Sequence, residues 1–226
     1  MKPRAIIFDL FGTLVPTYES QEIDQKIAHT LGVSKEKYYR ALADSAEQRY
    51  RGMFPTVKAM FEHICVLLNR PTSELILEQV TVYRLEATRK NLEPRENAIR
   101  ILERLKSSGV KLGLLSDSSP DVPTLYSETP FAKLIDNAVF SCVVQRRKPD
   151  ADIYRLICRE LGVVPKRCVY VGDGGSNELF GAQSLGIRSI LLHVPMGEAI
   201  QSEAKIWKGE AITSLEELQN LTNHSR

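Results

Sequence analysis

The sequence predicts an α/β fold in which a parallel-sheet core carries an all-helical insertion, and three observations lead there. Short, wholly apolar runs recur at Ala5–Phe8, 112–115, 138–140, 168–171 and 189–192, each closed by polar or glycine residues. Strands covered on both faces have this composition, because no position has to meet water. Between the later runs lie segments whose apolar residues recur at helical spacing, and strands alternating with helices build a parallel sheet with helices on both sides. Finally, the stretch from about 20 to 90 holds helical patterns and no strand-like run.

In chain order, the first strand ends at Asp9. Four helices are expected next, at 20–32, 34–51, 55–69 and 72–90, separated by Gly32-Val33-Ser34, by Gly52 with Pro55, and by Pro71. The chain then returns to the core through a helix at 95–108, which lines up Ala98, Ile101, Leu102 and Leu105 on one face. Strands at 112–115 and 138–140, a helix at 153–161, a strand at 168–171, a helix at 179–185 with Ser176 as its expected N-cap, and a strand at 189–192 complete it. The expected division is an α/β core of 1–17 and 91–226 and a helical cap domain of 18–90.

At 226 residues, 43% hydrophobic and 26% charged, the chain suffices for one full-sized core and one smaller module. The net charge of +2 comes from 30 basic and 28 acidic residues spread along the whole length, so no nucleic-acid footprint stands out. A small, anionic substrate is expected instead. Cys65, Cys142, Cys158 and Cys168 form no CxxC pair and sit in apolar runs, which reads as buried free thiols in a reducing compartment. Only four apolar residues precede Asp9, fewer than a signal peptide needs, and no run reaches the length of a membrane span. The expected location is cytoplasmic, without a membrane partner; nothing in the sequence specifies an oligomeric state.

In open parallel sheets, ligands bind beyond the carboxyl ends of the strands. The first strand delivers Asp9-Leu10-Phe11-Gly12-Thr13 there, the second Ser116-Asp117-Ser118-Ser119, and the fourth Gly172-Asp173-Gly174-Gly175-Ser176-Asn177-Glu178, while Lys148-Pro149-Asp150 follows the third after a short loop. Each group alone is ordinary loop chemistry. In this order and at these strand ends, Asp9 with Gly12-Thr13, Ser116, Lys148-Pro149 and Gly172-Asp173 with Asn177-Glu178 resemble the four motifs of the haloacid dehalogenase-like superfamily. The helical insertion between the first two resembles that superfamily's first cap class, on a Rossmann-like core, and the likeness runs over essentially the whole chain.

The resemblance implies Asp9 as the nucleophile of a covalent mechanism, since a carboxylate can split a hard displacement into formation and hydrolysis of an aspartyl intermediate. It implies hydroxyl donors in Thr13 and Ser116 and a neutralising cation in Lys148. Gly12, Asp117 and Ser118 are expected at the substrate, with Arg49 and Arg51, flanking Tyr50, reaching it from the cap; a solvated helix face is the alternative for these two arginines. In this fold Asp9 and Asp173 come close together, and two such carboxylates resist ionisation unless a cation lies between them. Mg²⁺ is the expected ion, held by Asp9, Asp173, the backbone carbonyl of Phe11, and Glu178 directly or through water. His29, His63 and His193 share no ligand spacing and read as core or surface residues, and Tyr154 reads as core.

One position departs from the phosphatases. Two residues after the nucleophile they carry a second aspartate, which protonates the leaving alcohol, and here Phe11 stands there. General acid catalysis is typically worth about 10²–10⁴-fold, so its loss should penalise poor leaving groups such as alkyl esters. An aromatic residue there, with Ser118-Ser119-Pro120, is similar to the 2-haloacid dehalogenases, whose halide needs no proton; Asp173 is unlike those metal-free enzymes. The expected function is a Mg²⁺-dependent, phosphatase-like hydrolase acting on a small phosphorylated metabolite. A 2-haloacid dehalogenase-like hydrolase and a non-catalytic protein binding a phosphorylated ligand or a partner are the alternatives.

Overall fold

The computed structural model describes residues 2–17, 20–71, 73–194 and 205–223. The position 18, where the cap was expected to begin, and 72, the expected start of its last helix, lie outside them. In chain order the elements are β1 (Ala5–Phe8), α1 (Gln21–Thr30), α2 (Lys35–Asp44), α3 (Ala46–Tyr50), α4 (Val57–Leu67), α5 (Glu74–Asn91), α6 (Ala98–Ser107), β2 (Lys111–Ser116), α7 (Asp121–Leu125), β3 (Asn137–Phe140), α8 (Ser141–Val144), α9 (Ala151–Glu160), β4 (Cys168–Gly172), α10 (Glu178–Ser184), β5 (Arg188–Leu192), β6 (Glu210–Ile212) and α11 (Asn220–Asn223). The six strands form one sheet in the order β3-β2-β1-β4-β5-β6, every pair parallel.

Because successive side chains of a strand point to opposite faces, each apolar run feeds two cores. Ile6 and Phe8 pack on one side with Leu112, Leu114, Val169 and Val171, beneath the α6 residues Ile101, Leu102 and Leu105. Ala5 and Ile7 pack on the other with Cys168, Tyr170 and the α9 residues Ile153, Tyr154 and Ile157. At about 1.5–3 kcal/mol for each fully buried Leu, Ile or Phe, these faces hold β1 at the centre of the sheet, with β2 and β4 on either side. That centrality is what presents Asp9 between Ser116 and Asp173.

Helices α1, α2, α4 and α5 bury a third cluster around Ile27, Tyr38, Met60, Phe61, Ile64 and Val80. Side chains satisfy exposed amides where three of them start: Ser34 accepts from Lys37 N, Thr56 from Ala59 N and Ser73 from Ile76 N. The second expected helix, 34–51, is two helices. Ser45 Oγ donates to the Leu42 carbonyl at 3.2 Å, and this local alternative to the helical ladder coincides with the break between α2 and α3.

The expected N-cap at Ser176 is a further correction. Ser176 and Asn177 both have left-handed backbone, φ 56° and 53°, and Asn177 takes the cap position without a side-chain bond. Strand β6 was not expected; it has three residues, and Glu210 and Ala211 are exposed, so neither length nor an apolar run marks it. No helix among the described residues is long and apolar enough to cross a membrane.

Candidate active site

After β1 the chain turns sharply. The amides of Thr13, Leu14 and Val15 all donate to the Leu10 carbonyl, and Gly12 N donates to Val15 O. Arg95 ties the turn from outside by donating to the carbonyls of Gly12 and Thr13. Gly12 has φ 77°, and a Cβ there would overlap the Asp173 carboxylate; only glycine lets the turn pass so close. Gly172 has the same role opposite, since its Cβ would overlap the carboxylate of Glu178.

The turns converge on one ammonium. Lys148 Nζ, 4% exposed, donates to Asp9 Oδ1 and to Glu178 Oε2, each at 2.5 Å, and to Tyr170 Oη at 3.3 Å. Tyr170 donates to Glu178 Oε2 at 2.7 Å, and Gly174 N to Glu178 Oε1 at 3.1 Å. Asp173 Oδ1 accepts from Gly175 N at 3.0 Å, while its Oδ2 has no hydrogen-bond donor among the described residues. One oxygen each of Asp9, Asp173 and Glu178 lies within 4.8 Å of the others.

Three buried carboxylates around one ammonium leave an excess of negative charge. Burial pushes Asp9 well above the usual carboxylate range, Glu178 and Asp173 adding to it and Lys148 opposing. Asp173 is pushed up to about 6 by burial and then by Glu178. Burial alone would discharge Lys148, but Asp9 and Glu178 outweigh it and raise its pKa. Burial, with Glu178 and Asp9, also raises the Tyr170 phenol.

A cavity of about 280 Å³ opens over this cluster, lined by Asp9, Phe11, Lys148, Asp173 and Glu178, with Thr17, Asp117, Gly175, Ser176 and, from helix α3, Tyr50. The other expected site residues stand behind it. Thr13 is fully buried and donates to Asp9 Oδ2 at a long 3.4 Å. Ser116 is fully buried with its hydroxyl on the Asp117 carbonyl. Ser118 N donates to Ser141 Oγ. Asp117 links two loops, accepting from Lys148 N at 3.0 Å and from Arg147 Nε at 3.3 Å.

Arg49 has neither the solvated face nor the cavity wall that its sequence position suggested. It is 6% exposed and donates to Ser45 Oγ, to the Leu42 carbonyl and to Ser119 Oγ. Arg51 is exposed and pairs with Glu47 and Asp150. Tyr154 is core, packed edge-to-face against Tyr170, with its hydroxyl donating to the Glu178 carbonyl. Tyr170 escaped the sequence reading; a phenol inside an otherwise apolar strand was the available signal.

A hard divalent cation fits this donor set. Asp173 Oδ2 is uncommitted, Asp9 Oδ2 has only the long Thr13 contact, and the surplus charge is what such an ion neutralises. Glu178 fits less well as a direct ligand, because both of its oxygens already accept hydrogen bonds.

The family model for haloacid dehalogenase-like hydrolases matches residues 3–186. A segment of the Rhythmically expressed gene 2 protein of Drosophila melanogaster is 31% identical over 108 residues, which span 45% of this chain and 42% of that protein. The glyceraldehyde 3-phosphate phosphatase of Methanothermobacter thermautotrophicus is 24% identical over 96% of this chain and 97% of its own. Among solved structures, the L-2-haloacid dehalogenase from Xanthobacter autotrophicus superposes with a TM-score of 0.68 at 18% identity, covering 99% of this chain and 100% of that one, a likeness of fold.

Proposed function

This chain belongs to the haloacid dehalogenase-like hydrolase family, and on that premise we propose that it is a Mg²⁺-dependent phosphohydrolase of a small phosphorylated metabolite, with Asp9 as nucleophile. The observation that carries the reading is the surplus of buried negative charge around Asp9, Asp173 and Glu178. A metal-free attack on carbon does not need a carboxylate to hold a cation beside the nucleophile, whereas a phosphoryl site uses one for that. Mg²⁺, when bound by Asp9 and Asp173, supplies charge neutralisation for a phosphoryl group. Glu178 and Tyr170 orient Lys148, whose ammonium faces Asp9 and meets the charge of the incoming anion. Asp9 attacks phosphorus, the ester oxygen leaves, and water then hydrolyses the aspartyl phosphate. The similarity to glyceraldehyde 3-phosphate phosphatases and the size of the cavity support a small phosphate ester as substrate.

Phe11 favours a second reading, a 2-haloacid dehalogenase-like hydrolase, because halide leaves without a proton. Turnover of a panel of phosphate esters and 2-haloacids, with Mg²⁺ and with chelator, separates the two. Phosphate release that needs Mg²⁺ and falls on the order of 10⁴-fold or more in Asp9→Asn is expected. Metal-independent halide release by the wild type would overturn the phosphohydrolase reading.

A further inference from the structure

The phosphohydrolase reading leaves one proton without a donor. On that reading the acids around the cavity are engaged: Asp9 is the nucleophile, Asp173 would hold the cation, Glu178 accepts from Lys148, and Asp117 accepts from Lys148 N and Arg147. The remaining hydroxyl-bearing residues that line the cavity are Thr17, Ser176 and Tyr50. A phenol is a far stronger acid than an aliphatic hydroxyl, and Tyr50 has no hydrogen-bond partner among the described residues.

Tyr50 is held at the cavity by helix α3, which is clamped to the core on several sides. Arg49 donates to Ser119, in the loop that follows Ser116. Arg51 pairs with Asp150, just beyond Lys148-Pro149. Glu47 pairs with Arg147. The turn behind the helix sits so close to the core that a Cβ on Gly52 would overlap the Cys142 carbonyl, and Gly52 has φ 72°. Between these clamps the Tyr50 ring lies flanked by two guanidinium groups, Arg49 at 5.1 Å and Arg147 at 5.2 Å from its centroid. Two of the loops that supply core residues to the cavity, those that carry Asp117 and Lys148, therefore also hold Tyr50.

We propose that Tyr50 is the general acid of the phosphoryl transfer, supplied by the cap in place of the aspartate that Phe11 replaces; this rests on the phosphohydrolase reading. As an Asp9 oxygen bonds to phosphorus, the bond to the ester oxygen breaks with its electron pair on that oxygen, which takes the Tyr50 proton. The phenolate then takes a proton from the water that attacks the aspartyl phosphate, so that phosphate is released and Asp9 and Tyr50 return to their starting states. Alkyl esters thus become substrates despite Phe11, contrary to the penalty expected from the sequence.

The test compares wild type with Tyr50→Phe, which keeps the ring between the two arginines, on glycerol 3-phosphate and 4-nitrophenyl phosphate with Mg²⁺, with the thermal midpoint as the fold check. The expected result is a loss of about 10²-fold in kcat on the alkyl ester and of less than about threefold on the aryl ester, whose leaving group needs no proton. Equal losses on both esters, a change in KM alone, or a wild type already hundreds of times slower on the alkyl ester would overturn the assignment. Asp9-dependent cleavage of 4-nitrophenyl phosphate would persist in each of those outcomes, whereas its absence from the wild type marks failure of the phosphohydrolase reading itself.

Discussion

Where helix α5 meets the core, Arg84 and Thr88 close on a fully buried Asp121, at 2.9 and 2.6 Å, and the charges match one to one. At the ends of β1 and β4, three carboxylates share a single ammonium and the charges do not match. Both clusters are buried and both join distant parts of the chain. In the matched one burial opposes the charge on Arg84, yet Asp121 outweighs it and raises its pKa, although Asp121 Oδ1 is buried without a hydrogen bond among the described residues. The unmatched one is held in a state that only an additional cation or bound protons relieve. Imbalance, more than burial, separates a site from a structural contact.

The largest expected effect breaks the matched cluster. Arg84→Met strands the Asp121 carboxylate in the interior, which should cost about 3–5 kcal/mol of stability, and adding Asp121→Leu should recover most of it. Denaturant unfolding of the two variants measures this; no difference between the single and the double variant would mean that the pair is not a unit.

The same kind of change at the unmatched cluster should act in the opposite direction. In chelator, Asp173→Asn should stabilise the protein by roughly 1–3 kcal/mol, because it removes a carboxylate whose folded pKa of about 6 lies above the unfolded value. The sign follows from proton binding. Between about pH 4 and pH 6 the folded state keeps a proton that the unfolded state has released, so wild-type stability falls as pH rises through that window. The variant should lose part of this fall. It should also lose the stabilisation by Mg²⁺, about 2.7 kcal/mol at a hundred times Kd for a single site in the wild type. Thermal midpoints across pH, with and without Mg²⁺, carry all three readouts.

The smallest effect marks the baseline for both clusters. Lys58 and Glu74 pair between α4 and α5 with 40% and 65% of their side chains exposed. Lys58→Gln should change stability by less than about 0.5 kcal/mol, and by nothing measurable in high salt.

The residues that converge on the cavity were legible to different degrees. Asp9 and Asp173 could be found because each directly follows a short apolar run at a strand end, a pattern contained within a few consecutive residues; Lys148, separated from β3 by α8, was found from the order of the four motifs. The partners of Tyr170 and of Arg49 could not be read, because nothing beside those residues in the chain announces them. Strand β6 was hidden for another reason: an edge strand of three residues, two of them exposed, has no apolar run to display.

By itself, then, the sequence determined the α/β fold class, five of the six strands, the insertion of helices between β1 and β2, and the order in which carboxylates, hydroxyls and a lysine reach the edge of the sheet. Local periodicity and composition suffice for these, since a strand covered on both faces must be apolar throughout. The tertiary structure alone decided how those charges pair. Lys148 joins Asp9 across 139 residues and Arg49 joins Ser119 across 70, so Glu178 becomes the partner of an ammonium, Arg49 a clamp and Tyr50 part of the cavity wall. Contacts of that separation depend on the packing of whole layers, which no local pattern encodes.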